Sequence, residues 1–217
     1  MSSVVSGVAQ PVAQSVAIGR GGLAAPPVGY GAAALGNLYR ALGDDEWPGI
    51  VPAAWAGGIR YFDVAPHYGL GLAERRLGES LRQLPRDEYI VSTKVGRLLV
   101  PQDAAGRTDI DNLFDVPADH RRVQDYSRDG VLRSIEQSLE RLGLDRIDIA
   151  LVHDPDAHER EALEGAFPAL SELRDQGVIT SFGAGMNQSA MLARFVRETD
   201  ADVMMVCLLY TSDAADE

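Results

Sequence analysis

The sequence predicts an α/β fold on a parallel sheet. Short β-branched runs alternate with amphipathic helical patterns along most of the chain, and polar residues recur at the carboxyl ends of the runs. Strand-like runs fall at residues 28–32 (the weakest), 59–64, 89–95, 147–153, 178–184 and 202–206. The first helix, around residues 45–56, contains Pro52, which removes an internal hydrogen bond and predicts a kink or a late start. Residues 128–142 place Val131, Leu132, Ile135, Leu139 and Leu142 on one face behind Ser127, a good N-cap. Leu163, Phe167, Leu170 and Leu173 mark the next helix, which Gly177 ends, and Met191, Leu192, Phe195 and Val196 mark the last. Six βα units suit either an open doubly wound sheet or a closed barrel. Asp63, Lys94 and His153, however, close three different strands. Barrels collect functional groups from many strand ends, whereas an open sheet does so near its switch point, so the pattern favours a barrel.

Composition narrows the function. The 217 residues carry a formal charge of -12 with no basic stripe, which argues against nucleic acid and anionic lipid and leaves a small molecule as the expected partner. Residues 1–25 read as a flexible segment. Gln10, Pro11 and Gln14 interrupt any apolar run and no basic residues precede it, unlike a signal peptide or membrane span. Cys207 is the single cysteine, so neither an internal disulfide nor a cysteine-based zinc site can form, and a reducing, cytoplasmic setting is expected. His67, His120, His153 and His158 are scattered, and no metal is expected. Residues 207–217, CLLYTSDAADE, resemble a translated sequencing adapter that starts abruptly inside an apolar strand. Setting them apart leaves residues 26–206 as a barrel expected to stop after about six strands, and inactive as it stands.

The chemistry concentrates in GIRYFDVAPHYG, VSTKVG and IALVHDPD. A phenol beside a buried ammonium exchanges protons well, because the positive charge stabilises phenolate and is expected to pull the tyrosine below its usual value of about 10. A paired aspartate keeps the lysine charged, and a histidine beside the phenol can orient a substrate oxygen. Taken singly, Asp63 could cap a turn, Lys94 could be a rim ion-pair partner, Tyr68 a loop aromatic and His153 a core histidine. Their joint appearance at successive strand ends points to an acid/base set.

These segments, from GIRYFDVAPHYGLGLAERRLGESL through STKVGR to LVHDPD, resemble the aldo-keto reductase superfamily over residues 28–206. The resemblance implies a (β/α)8 TIM barrel and carries that family's catalytic tetrad onto Asp63, Tyr68, Lys94 and His153. It implies NAD or NADP as cofactor, with Asn187 of the Gly185-Met186-Asn187 run contacting the nicotinamide where many members have Ser-Asn. Further likeness in LGNLY, STKVGRLL, FDVPADHRR and GAGMNQ resembles the D-threo-aldose 1-dehydrogenase and L-fucose dehydrogenase branch. That branch implies oxidation of an aldose at its anomeric carbon to a lactone. Pyridoxal or general aldehyde turnover, or a non-catalytic cofactor-binding barrel, are the alternatives.

Two further stretches invite a reading. GLGLAE at residues 69–74 follows a strand and opens a helix, but Glu74 stands where a dinucleotide fingerprint needs its third glycine, so Glu74, Arg75 and Arg76 read as a solvated helix start. Residues 97–126 form a long connection without periodicity, which suggests a functional loop in which Phe114, His120 and Arg121 close over the cofactor and touch sugar hydroxyls.

Overall fold

The computed structural model describes residues 15–206. A hairpin of β1 (Val16–Ile18) and β2 (Leu23–Ala25) opens the described chain, where the sequence had suggested a flexible segment. It is anchored by a clamp: the Asp202 carboxylate accepts from the Arg20 and Phe182 backbone N–H groups and from the Arg174 guanidinium. Then follow β3 (Tyr30–Gly31), α1 (Ile50–Ala56), β4 (Tyr61–Asp63), α2 (Leu72–Leu81), β5 (Ile90–Val95), β6 (Arg97–Pro101) and β7 (His120–Gln124). The remainder comprises α3 (Arg128–Leu142), β8 (Ile149–His153), α4 (Glu159–Glu161), α5 (Phe167–Asp175), β9 (Ser181–Met186), α6 (Ser189–Glu198) and β10 (Val203–Val206).

Six strands form one parallel sheet in the order β3-β4-β5-β8-β9-β10. Among the described residues each new parallel strand adds to the same edge, so the order never reverses and no switch point appears. That progression distinguishes a curling barrel from a doubly wound sheet, and the result is a curled half-barrel with helices outside.

Period-two alternation sorts the strands of the parallel sheet between two cores. Phe62, Val91, Val95, Ala150, Val152, Phe182 and Ala184 face outward against Leu77, Ile135, Leu170 and Phe195 of the helices. Ile90, Ile149 and Leu151 face inward with Tyr61, Val203 and Met205, and the β1–β2 hairpin caps this inner core with Ile18, Leu23 and Ala25. Asp63, Ser92 and Lys94 keep the same parity as the inward residues, so the polar groups lie above an apolar floor.

The helices start and stop where local chemistry dictates. The Ser127 hydroxyl accepts from the Gly130 N–H and α3 ends at Gly143 with φ of 61°. Pro52 is the third residue of α1, where its missing N–H costs nothing, so the helix starts late rather than kinking. A π-helical stretch, Ala162–Ala166, links α4 to α5, with Gly165 pressed against the Tyr126 carbonyl, where a Cβ would come within 2.5 Å. Val196 corrects the sequence reading, for it is 60% exposed while Leu192 and Phe195 carry the buried face of α6. The last eleven residues, with Cys207, lie outside the described part.

Candidate active site

Three strand ends and one turn build the site. Asp63 closes β4, Lys94 sits near the end of β5 and His153 closes β8. Lys94 is 3% exposed, and its ammonium donates to Asp63 Oδ2 at 2.6 Å and to the Val64 carbonyl at 3.1 Å. The Ser92 hydroxyl donates to the other Asp63 oxygen at 2.5 Å and accepts from Tyr61 at 3.1 Å. Gly185 on β9 leaves room for the lysine, since a Cβ there would stand 3.3 Å from Lys94 Cε.

Tyr68 is delivered by the turn after β4. Gly69, Leu70 and Gly71 have φ of 60°, 52° and 80°, three left-handed residues in succession that turn the chain sharply into α2. The turn packs against the loop after β3 so closely that a Cβ on Gly69 would lie 2.3 Å from the Gly36 carbonyl oxygen. Leu70 is buried with Leu99, Phe114 and Val116. The GLG run is therefore a turn that seats Tyr68. Its ring lies 5.1 Å from Lys94 Nζ and 6.1 Å from the His153 ring, edge to face. All four members of the predicted tetrad thus meet at one place.

Electrostatics differ from the sequence expectation at Tyr68. Burial raises the phenol above its usual 10; Lys94 opposes this without overcoming it, and the Asp63 carboxylate adds to the rise. Burial alone would lower Lys94, yet Asp63 and Tyr68 raise it, so the ammonium stays charged. Burial also holds His153 well below its ordinary value, reinforced by Lys94 and Arg97, so the imidazole is neutral. Its Nδ1 has no hydrogen-bond partner among the described residues, and its Nε2 lies 3.4 Å from Asp154, which also pairs with Arg97 at 2.8 Å.

The 97–126 connection is ordered. β6 and β7 pair antiparallel from Arg97↔Gln124 to Pro101↔His120. Phe114 is buried, with its ring 6.0 Å from Tyr68 and 5.4 Å from His67. Two backbone segments hold it there. Leu38 bridges to Phe114, the Tyr39 N–H donates to the Leu113 carbonyl at 2.7 Å, and Asn37, Tyr39 and Leu113 adopt φ of 63°, 65° and 70°. His120 and Arg121 do not join the site. His120 lines a separate cleft of about 440 Å³ with Arg75, Gln137 and Arg141, and Arg121 is exposed. Alternation along β7 gives the inward role to Arg122, which donates to both Asp109 oxygens at 2.8 and 2.5 Å and to the His67 carbonyl at 2.9 Å. Asn187 follows β9 and is exposed.

Glu74 also departs from the sequence reading. It is fully buried, accepting from the Thr93 hydroxyl at 2.9 Å and pairing with Arg141 at 2.6 Å. Thr93 faces outward from β5 and Arg141 lies in the last turn of α3, so this carboxylate ties two helices to the strand that carries Lys94.

The chain belongs to the Aldo/keto reductase family, whose pattern it matches over residues 27–212. D-threo-aldose 1-dehydrogenase of Pseudomonas sp is 53% identical over 193 residues, covering 88% of this chain and 59% of that protein. Pyridoxal 4-dehydrogenase of Microbacterium luteolum is 39% identical, covering 90% and 62%. Among solved structures, a putative aldo-keto reductase from Pseudomonas aeruginosa superposes with a TM-score of 0.63 at 31% identity, over 84% of this chain and 63% of that one. The chain spans about three fifths of the length of the curated relatives it matches.

Proposed function

We propose that this chain carries the acid/base half of an NAD- or NADP-linked oxidoreductase that oxidises the anomeric carbon of an aldose, of the L-fucose or D-threo-aldose type, to a lactone. The observation that carries the reading is the buried Lys94–Asp63 pair set against the ring of Tyr68, with a neutral His153 beside it. These side chains move protons, and none of them takes up an electron pair. The set therefore calls for an external two-electron carrier, and a bound nicotinamide would supply the hydride acceptor, while His153 Nδ1, without a partner among the described residues, is left for a ligand. Asn187, at the mouth beyond β9, is the described residue proposed to hold its carboxamide.

Tyr68 Oη exchanges the proton of the anomeric hydroxyl. Lys94 favours the phenolate, and Asp63 holds Lys94 in place and charged. His153, neutral, offers the substrate oxygen a hydrogen bond and does not compete for the proton. Phe114 lies against Tyr68, its ring 6.0 Å away. Pyridoxal is the second substrate to test, on the strength of the 39% identity to a pyridoxal 4-dehydrogenase.

Turnover of L-fucose, D-arabinose and pyridoxal with NAD and NADP is the test. It is read on the chain itself and on the chain fused after Val206 to the downstream segment of its Pseudomonas relative. Oxidation of an aldose by the fused protein supports the reading. Turnover of pyridoxal alone replaces the substrate, and binding of either nucleotide without any turnover overturns the enzymatic reading.

A further inference from the structure

His67 is the residue before Tyr68, and the proposed acid/base set leaves it unused. Its imidazole packs edge-on to three rings of the site: Phe114 at 5.4 Å, His153 at 5.7 Å and Tyr68 at 6.1 Å between centroids. Its Nδ1 is buried and has no hydrogen-bond partner among the described residues. Its backbone is fixed from behind, where the carbonyl accepts from Arg122 at 2.9 Å. A buried ring nitrogen with nothing to bond to is costly unless a ligand completes it.

The surroundings limit what that ligand can be. Lys94 pairs with Asp63, Arg97 with Asp154 and Arg122 with Asp109, so each cation around the two imidazoles has its own carboxylate. Among the described residues around the two imidazoles, no charge is left over for a carboxylate or phosphate on the substrate. Burial and the nearby Arg122, Arg97 and Lys94 push His67 down to about 3, which keeps the ring neutral, with one donor and one acceptor nitrogen. A hydroxyl, which both donates and accepts, is the matching group.

We propose that His67 is a substrate-binding residue that hydrogen-bonds a hydroxyl of an uncharged polyol other than the reacting one, making the site selective for neutral sugars over acidic or phosphorylated ones. This rests on the aldose reading and deepens it. Tyr68 and His153 deal with the reacting oxygen, and His67, on the preceding position of the same turn, takes a neighbouring one.

The test compares L-fucose with tetrahydropyran-2-ol, a lactol that offers the same reacting carbon and no other hydroxyl, on the fused protein. His67→Phe keeps the ring packing and removes both nitrogens. It should raise KM for L-fucose about tenfold, the scale of one lost hydrogen bond, with kcat little changed. KM for tetrahydropyran-2-ol should stay within about twofold, a change too small to represent a lost hydrogen bond. His67→Asn, whose amide stands near the Nδ1 position, should recover much of the L-fucose affinity. Equal losses on both substrates, or a fall in kcat alone, would reduce His67 to a packing role and overturn the proposal. An independent readout is the histidine ring nitrogen signal of 15N-labelled chain during an L-fucose titration. A shift at His67 without turnover would keep the binding role while removing the dehydrogenase reading. Turnover with no shift at His67 and an unaltered His67→Phe variant would do the reverse.

Discussion

Lys94→Met is the substitution with the most calculable consequence. The methionine fills similar volume in a position that is 3% exposed, so the change removes charge and little packing. It deletes a 2.6 Å charge-assisted bond to Asp63 and leaves that carboxylate, 14% exposed, with the Ser92 hydroxyl in place of an ammonium. Breaking one side of a buried pair costs about 3–5 kcal/mol, most of it the burden of the charge left behind. Asp63→Asn in the same chain removes that charge, so the double variant should regain more than half of the loss. Urea unfolding of the chain, followed by circular dichroism and extrapolated linearly, measures both. A loss below about 1 kcal/mol, the range of exposed ion pairs, would refute the reasoning, as would a double variant no more stable than Lys94→Met alone.

Three further outcomes follow from the same geometry. Lys94→Met should lower kcat nearly as much as Tyr68→Phe, and the double variant should be little worse than either, because the two disable one unit; additive losses in steady-state kinetics would show independent roles. Because Lys94 favours the phenolate, aldose oxidation should gain with rising pH into the alkaline range, and Lys94→Met should move that rise to still higher pH in kcat/KM profiles. Glu74→Ala should cost about 3–5 kcal/mol by stranding Arg141, readable by urea unfolding.

Acid stability gives a fourth. His67 is held at about 3 when folded against 6.5 when free, so its contribution is present above about pH 6.5 and lost as pH falls towards 3. Between those limits His67→Phe should flatten the stability curve by up to about 1.4 kcal/mol per pH unit. Parallel curves for the two proteins would show that His67 titrates normally.

Much of this architecture is legible in the sequence because it rests on local rules. The 128–142 helix follows from its apolar face and the Ser127 cap, and both ends agree with the structure. Asp63, Lys94 and His153 are legible because strand parity and strand-end position suffice to bring them together. Tyr68 is legible as a phenol just after a strand end, but its seat depends on three successive left-handed residues that periodicity does not reveal. The misreadings share a physical cause. Glu74 looks solvated because charge usually is, and its partners Thr93 and Arg141 lie 19 and 67 residues away. Arg122, rather than Arg121, faces His67 because β7 pairs with β6, and RLLVP and HRRVQ are too short and irregular to declare that register. His67 passed unnoticed because its interest lies in a nitrogen without a partner, which no sequence pattern encodes.

The central claim is that Tyr68 exchanges the proton during oxidation of the substrate carbon. Tyr68→Phe in the fused protein keeps the ring against Phe114 and His153 and removes a single oxygen. Steady-state turnover of L-fucose with NAD and NADP, beside nucleotide binding followed by fluorescence, measures it. The account predicts a fall in kcat of roughly 10²-fold or more with nucleotide affinity unchanged. A variant that turns over at a near-native rate would contradict it.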